Sequence, residues 1–270
     1  MTRRVLITGG SRGIGLACAE RLASNGWRVV VAARGLDAAQ EVAESIHGTG
    51  HQAVHLDVGD EASWEAIAPE IASLDGVVHA AGVLGPIGPA ELVDPAEFSD
   101  VLRINVLGTF LAARATSAAL ARSGGAFVGF SGGGGTGPLV RFDAYAASKA
   151  AVVRLIENLA EDGMRANAIA PGFVATDIHQ ATLAAGKDAV GADYFERTRR
   201  ELESGGTPAE LAAELASWLL SDDSIGINGR LLSAPWDPWM DEQFRDRVRN
   251  DPNFAKLRRI DGQFFEDLTE

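Results

Sequence analysis

Tyr145 and Lys149 stand four residues apart in the segment AYAASKAA. The alanine-rich flanks predict a helix, and a spacing of four puts both side chains on one face of it. An ammonium close to a phenol favours the phenolate. The pair therefore predicts a hydroxyl pulled below its ordinary pKa of about 10, toward the range where it exchanges a proton with a carbonyl or alcohol oxygen. A surface tyrosine and lysine on an ordinary amphipathic helix would read the same way, so the surrounding elements must supply the context.

The N-terminal segment RRVLITGGSRGIGLACAERLASNGWRVVVAAR reads as a strand (Val5 to Thr8), a glycine-rich turn, an amphipathic helix (Ile14 to Ser24) and a second strand (Arg28 to Ala32). This is a βαβ unit. Gly9, Gly13 and Gly15 allow a tight turn and close backbone approach, so that amides at the helix N-terminus can hold a pyrophosphate. The same alternation continues. Strands are expected at 52–56, 76–79, 126–130, 165–169 and 230–233, and helices at 36–46, 61–72, 95–121, 145–162 and 208–220. Strands separated by helices predict an α/β fold, a single Rossmann-like doubly wound parallel sheet with helices on both faces, whose ligands bind beyond the carboxyl ends of the strands.

TGGSRGIG, Ala80-Ala81-Gly82, Asn105 in RINVLGTF, YAASK at Tyr145 to Lys149 and PGFVAT at Pro171 to Thr176 follow one another along the chain. In that order they resemble the short-chain dehydrogenase/reductase family over about residues 3 to 235, including members similar to 3-oxoacyl-carrier-protein reductases and to sugar and alcohol dehydrogenases. The resemblance implies a catalytic domain over residues 1–240 that binds NAD(P)(H) and transfers hydride to or from a carbonyl or alcohol carbon. It implies Asn105, Ser131, Tyr145 and Lys149 as catalytic residues. Asn105 would hold a water linking the lysine to solvent. The cofactor would be held by Gly9, Ser11, Arg12, Gly13, Ile14, Gly15, Arg34, Asp57, Val58, Ala81, Gly82, Tyr145, Lys149, Pro171, Gly172, Val174 and Thr176. Asp57 would take the adenine amino group and Thr176 the carboxamide.

The second strand ends in Ala32-Ala33-Arg34, without the carboxylate that usually receives the ribose hydroxyls of NAD. Arg34, with Arg12 in the glycine-rich turn, suits a 2'-phosphate. NADP(H) is therefore the expected cofactor, with NAD(H) possible. Two positions depart from the family pattern. His79 replaces an asparagine after the fourth strand, and Gly132 occupies the usual place of the catalytic serine, thirteen residues before Tyr145. Four glycines, Gly132 to Gly135, suggest that a one-residue shift turns the adjacent Ser131 inward.

The net charge of -13 disfavours nucleic acid and anionic membranes as partners. A single cysteine, Cys18, fits a reducing cytoplasm, and neither a signal peptide nor a membrane-spanning run is evident. The histidines show no metal-ligand spacing. By the resemblance, residues 177–206 correspond to the mobile lid and specificity segment for a small carbonyl or alcohol substrate, with Phe173, Ile178, Tyr194 and Phe195 offering mixed apolar and polar contacts. Trp236, Asp237 and Trp239 could present aromatic faces to a sugar or could simply pack. The tail 241–270, with Phe244, Val248, Phe254, Leu257, Ile260, Phe264 and Phe265 at loosely helical spacing, is expected to dock on the body or on a neighbouring subunit. By the same resemblance a homodimer or homotetramer would pair the Asn105 and Tyr145 helices, with Ala112, Ala113, Ala146 and Ala150 permitting close approach. The alternatives are an NAD-dependent alcohol or sugar dehydrogenase and a non-catalytic dinucleotide-sensing regulator, which would have no need of Asn105, Tyr145 and Lys149 together.

Overall fold

The computed structural model describes residues 2–259. Along the chain lie β1 (Arg4–Thr8), α1 (Gly13–Ser24), β2 (Arg28–Ala33), α2 (Leu36–Ser45), β3 (Gln52–His55), α3 (Glu61–Ala66), β4 (Gly76–His79), α4 (Pro95–Leu102), α5 (Gly108–Ser123), β5 (Ala126–Phe130), α6 (Asp143–Glu161), β6 (Ala166–Ala170), α7 (Asp177–Val190), α8 (Ala192–Glu203), α9 (Ala209–Leu220), β7 (Leu231–Ser233) and α10 (Glu242–Asn250). The strands form one parallel sheet in the order β3-β2-β1-β4-β5-β6-β7. Strand order reverses between β1 and β4, whose register pairs Val5 with Gly76 and Thr8 with His79. A crevice therefore opens beyond Thr8 and His79.

The two-residue period of the strands divides the core. Val5, Ile7, Val29 and Val31 face Cys18 and Leu22 of α1 and Leu215 and Leu219 of α9, whereas Leu6, Val30 and Val77 face Leu111 and Ala112 of α5 and Val152 and Ile156 of α6. Ala112 and Ala113 are thus consumed in packing against their own sheet, a correction to their expected part between subunits. Cys18 is fully buried, and burial pushes its thiol up to about 12. Native protein should accordingly be inert to Ellman's reagent at about pH 8, with one equivalent of thiol reacting after denaturation. Fast reaction of the native protein would contradict this packing.

Two helices differ from expectation. α3 stops at Ala66 instead of reaching Ala72, and 3₁₀-type bonds such as Ala68 N–H to Glu65 O follow it, because Pro69 has no amide to continue the ladder. The run from Pro95 to Ser123 is continuous but contains a π turn at Arg103–Leu107. By length and apolarity alone that run is sufficient to cross a membrane, contrary to the sequence reading. Half of its most apolar window is nevertheless buried inside the protein, as in a core helix.

The described part of the tail lies on its own chain. Leu231 N–H donates to Ala255 O at 2.8 Å, Val248 is fully buried, and Phe244 meets Phe254 edge-on at 5.5 Å. Glu157 of α6, itself buried, pairs with Arg154 and Arg258 at 2.5 Å each and with Lys256 at 3.8 Å. Ile260, Phe264 and Phe265 fall outside the described residues.

Candidate active site

At the mouth of the crevice, the turn after β1 holds the positions that backbone contact leaves without a side chain. Gly9 has φ 64°, and a Cβ on it would lie 2.9 Å from the Ala81 backbone. One on Gly15 would overlap the Gly9 carbonyl oxygen. No side chain caps α1 and no acidic residue lies in its first turn, so its leading amides are free to meet an anion. These features fit a dinucleotide pyrophosphate. Ser11 and Ile14 are half-buried beside this turn, and the uncapped Thr176 reaches it, its Cγ2 lying 3.2 Å from the Cβ position of Gly13.

Arg34 is exposed just past β2, and its guanidinium has no hydrogen-bond or ion-pair partner among the described residues. Arg12 does have one, Asp177 at the start of α7, at 2.6 Å. Asp57 Oδ1 accepts from Gly59 N–H at 2.9 Å and lies 3.8 Å from Arg103, so it organises its own turn. Val58 is buried against Gly108 and accepts from the Trp64 indole through its carbonyl.

Tyr145 and Lys149 share a face of α6 beneath this crevice. The Lys149 ammonium lies 5.5 Å from the Tyr145 ring centroid and donates to Phe130 O at 3.0 Å, and a Cβ on Gly82 would be 3.5 Å from it. Burial lowers Lys149 to about 8, and raises Tyr145 to about 12 with a further push from Tyr194. The depression of the phenol expected from the ammonium alone is therefore not what the packed site produces. Desolvation of a buried phenolate outweighs an ammonium whose hydrogen bond is directed elsewhere.

Asn105 sits in the π turn, buried, with Oδ1 accepting from Val83 N–H and Nδ2 donating to Val83 O and to Ser148 Oγ, each at 2.9 Å. Ser148 in turn donates to Tyr145 O at 2.7 Å. Asn105 thereby ties the loop after β4 to α6. Ser148, which sequence reasoning passed over, was visible only as the residue before Lys149. His79 is buried with Nδ1 2.9 Å from Thr8 Oγ1, and burial presses its pKa to about 3.

The loop after β5 does not take the register expected for Ser131. Ser131 N–H continues the sheet by donating to Ile169 O at 2.8 Å, and its buried hydroxyl abuts Gly135, where a Cβ would overlap it; it makes no hydrogen bond to Tyr145. Neighbouring residues of an extended segment face opposite ways, so Gly132 faces Tyr145, and a Cβ there would overlap the phenolic oxygen.

After β6, Gly172 (φ 82°) packs against Thr207 and Pro235, Pro171 and Val174 are buried, and Phe173 stacks on His179 of α7 at 3.6 Å. Trp239 is buried, 5.9 Å from Trp218, and the Asp237 carboxylate accepts from Ser233 N–H at 2.7 Å. Only Trp236 of the expected aromatic pair is exposed, at 74%. An apolar wall of Leu84, Ile87, Leu139, Phe142, Ile178 and Phe195 surrounds Tyr145.

The comparisons agree with this geometry. A family model described as enoyl-(acyl carrier protein) reductase matches residues 9–234. Levodione reductase of Leifsonia aquatica is 34% identical over 246 residues, covering 85% of this chain and 91% of that protein. The 3-oxoacyl-[acyl-carrier-protein] reductase MabA of Mycobacterium tuberculosis (strain ATCC 25618 / H37Rv) is 32% identical over 240 residues, covering 86% and 91%. The crystal structure of the KRED1-Pglu enzyme superposes with a TM-score of 0.79 at 27% identity, covering 85% of this chain and all of that one. With its parallel sheet, glycine-rich turn and Tyr-Lys pair in place, this chain belongs to the short-chain dehydrogenase/reductase family, oxidoreductases that act on alcohol and ketone groups with NAD(P)(H).

Proposed function

We propose that this protein is an NADP(H)-preferring carbonyl reductase in which Tyr145 gives the proton to the substrate oxygen. The observation that carries the reading is the placement of the Tyr145 hydroxyl, which faces the side-chain-free Gly132 one helical turn from Lys149 at the carboxyl end of the sheet. Gly9, Ser11, Arg12, Gly13, Ile14 and Gly15 would hold the pyrophosphate, Arg34 the 2'-phosphate, Asp57 and Val58 the adenine side, Ala81 and Gly82 the ribose approach, and Pro171, Gly172, Val174 and Thr176 the carboxamide. When bound, the dinucleotide supplies hydride to the carbonyl carbon. Tyr145 donates its proton as negative charge develops on oxygen, Lys149 favours that loss while charged, and Asn105 holds α6 and the loop after β4 in register.

The relatives named as reductases support reduction as the working direction. The apolar wall and the names of the relatives support a small ketone with apolar substituents. The Arg12–Asp177 pair favours the NAD-dependent alcohol or sugar dehydrogenase as second reading, since it occupies one of the two cations. Residues 1–240 would form the catalytic domain with 241–270 as a docked tail, in a cytoplasmic homodimer or homotetramer joined through the exposed Leu107 and Phe110.

The test is a panel of ketones, including an acetoacetyl thioester, a cyclohexanedione and a phenyl ketone, followed at the NADPH and NADH absorbance. Turnover with NADPH on at least one supports the reading. Reaction only in the direction of alcohol oxidation with NAD would promote the alternative, and absence of turnover in either direction would overturn the reading.

A further inference from the structure

The chain has two tyrosines, and both lie in one cluster. Tyr145 is buried on α6. Tyr194, from α8, packs on the same group of side chains, its ring 5.1 Å from that of Phe142 and tilted by 50°. Neither phenolic hydroxyl has a hydrogen-bond partner among the described residues. Tyr194 is also held where it is. Arg141 donates to Asp188 O at 2.7 Å and to Ala189 O at 3.3 Å, fixing the end of α7, and Lys187 pairs with Glu196 at 2.5 Å, fixing α8 to α7.

A ketone oxygen that gains negative charge is best met by two donors, one giving its proton and one holding the oxygen in place. Tyr145 is the first under the reading above. The residue that faces it across the site, Gly132, has no side chain, and the Ser131 hydroxyl lies beside Gly135 on the loop. A serine at 132 would collide with the Tyr145 hydroxyl unless the loop moved. A second phenol, Tyr194 of α8, reaches this cluster with its hydroxyl unpartnered among the described residues.

We propose that Tyr194 is a further catalytic residue, donating a hydrogen bond to the substrate oxygen in the role that residue 132 leaves empty. The proposal rests on the carbonyl-reductase reading. The charge of one phenol raising the other agrees with their closeness. The bond made is O–H to oxygen only: the hydride and the transferred proton come from the bound dinucleotide and from Tyr145, and Tyr194 keeps its own proton.

The experiment compares wild type, Tyr194→Phe and Tyr145→Phe with the phenyl ketone, the cyclohexanedione and the acetoacetyl thioester. Tyr194→Phe keeps the ring on Phe142 and removes only the hydroxyl. Its kcat should fall about tenfold, the weight of one net hydrogen bond, with the melting temperature unchanged and the fluorescence-measured Kd for NADPH within about twofold of wild type. An unchanged kcat in Tyr194→Phe, with Tyr145→Phe inactive, overturns the proposal and leaves the reading standing. Full turnover in Tyr145→Phe, or a wild type inactive on every ketone of the panel, overturns the reading and the proposal with it. A fall in kcat accompanied by a loss of melting temperature or of NADPH affinity also overturns the proposal, since it assigns Tyr194 to packing.

Discussion

Tyr145→Phe is expected to lower kcat for ketone reduction by about 10²- to 10⁴-fold while leaving NADPH affinity near that of wild type. The phenol is the proton donor in this reading, and phenylalanine fills the same buried volume, so only the transition-state interaction is lost. Lys149→Ala should damage both turnover and cofactor binding, because the ammonium serves the phenol and lies next to Gly82 at the ribose side. The pH profile follows from the shifts. Lys149, lowered to about 8 by burial, is charged below that pH and neutral above it, so its help to Tyr145 is present at low pH and lost as pH rises through about 8. Tyr145 itself keeps its proton up to about 12. A reduction rate with a descending limb near pH 8 is therefore expected, and stopped-flow measurement across that range checks it. Near-normal turnover in Tyr145→Phe would place the acid elsewhere.

Arg34→Ala should weaken NADPH by roughly ten- to a hundredfold and leave NADH almost unchanged, since a charge-assisted bond to a phosphate contributes about 1.5–3 kcal/mol. The guanidinium has no partner among the described residues at the end of β2, so binding there does not first require a competing ion pair to break. Arg12 is different: its pairing with Asp177 at 2.6 Å must be given up or shared, and Arg12→Ala should cost less than Arg34→Ala. Fluorescence titration of both cofactors separates the two variants. Equal affinity for NADPH and NADH in wild type would sink the preference.

The order of elements was legible from the residues because it rests on local physics. Short apolar runs marked the strands, and the turn glycines marked the first strand-to-helix crossing, so β1, α1 and β2 fell within a residue or so of expectation. The Tyr145–Lys149 pair was legible for a similar reason: a helix of known period determines which residues share a face. What the sequence could not determine was every quantity that depends on which atoms surround a group. Proximity of an ammonium alone predicted a depressed phenol, but the burial that raises it draws on Leu84 and Val190, which are distant in sequence, as well as on the neighbouring Phe142. Four glycines in a row permitted either register of the Ser131 loop, and pairing of Ser131 with Ile169 on β6 selected the one that turns Gly132 to Tyr145. Arg12 and Asp177 are 165 residues apart, and no local pattern announces their ion pair. The sequence by itself determined the elements and the chemistry they carry; only the tertiary structure decided the protonation, the loop register and the arrival of Tyr194 beside Tyr145, because desolvation and contact are properties of the packed chain.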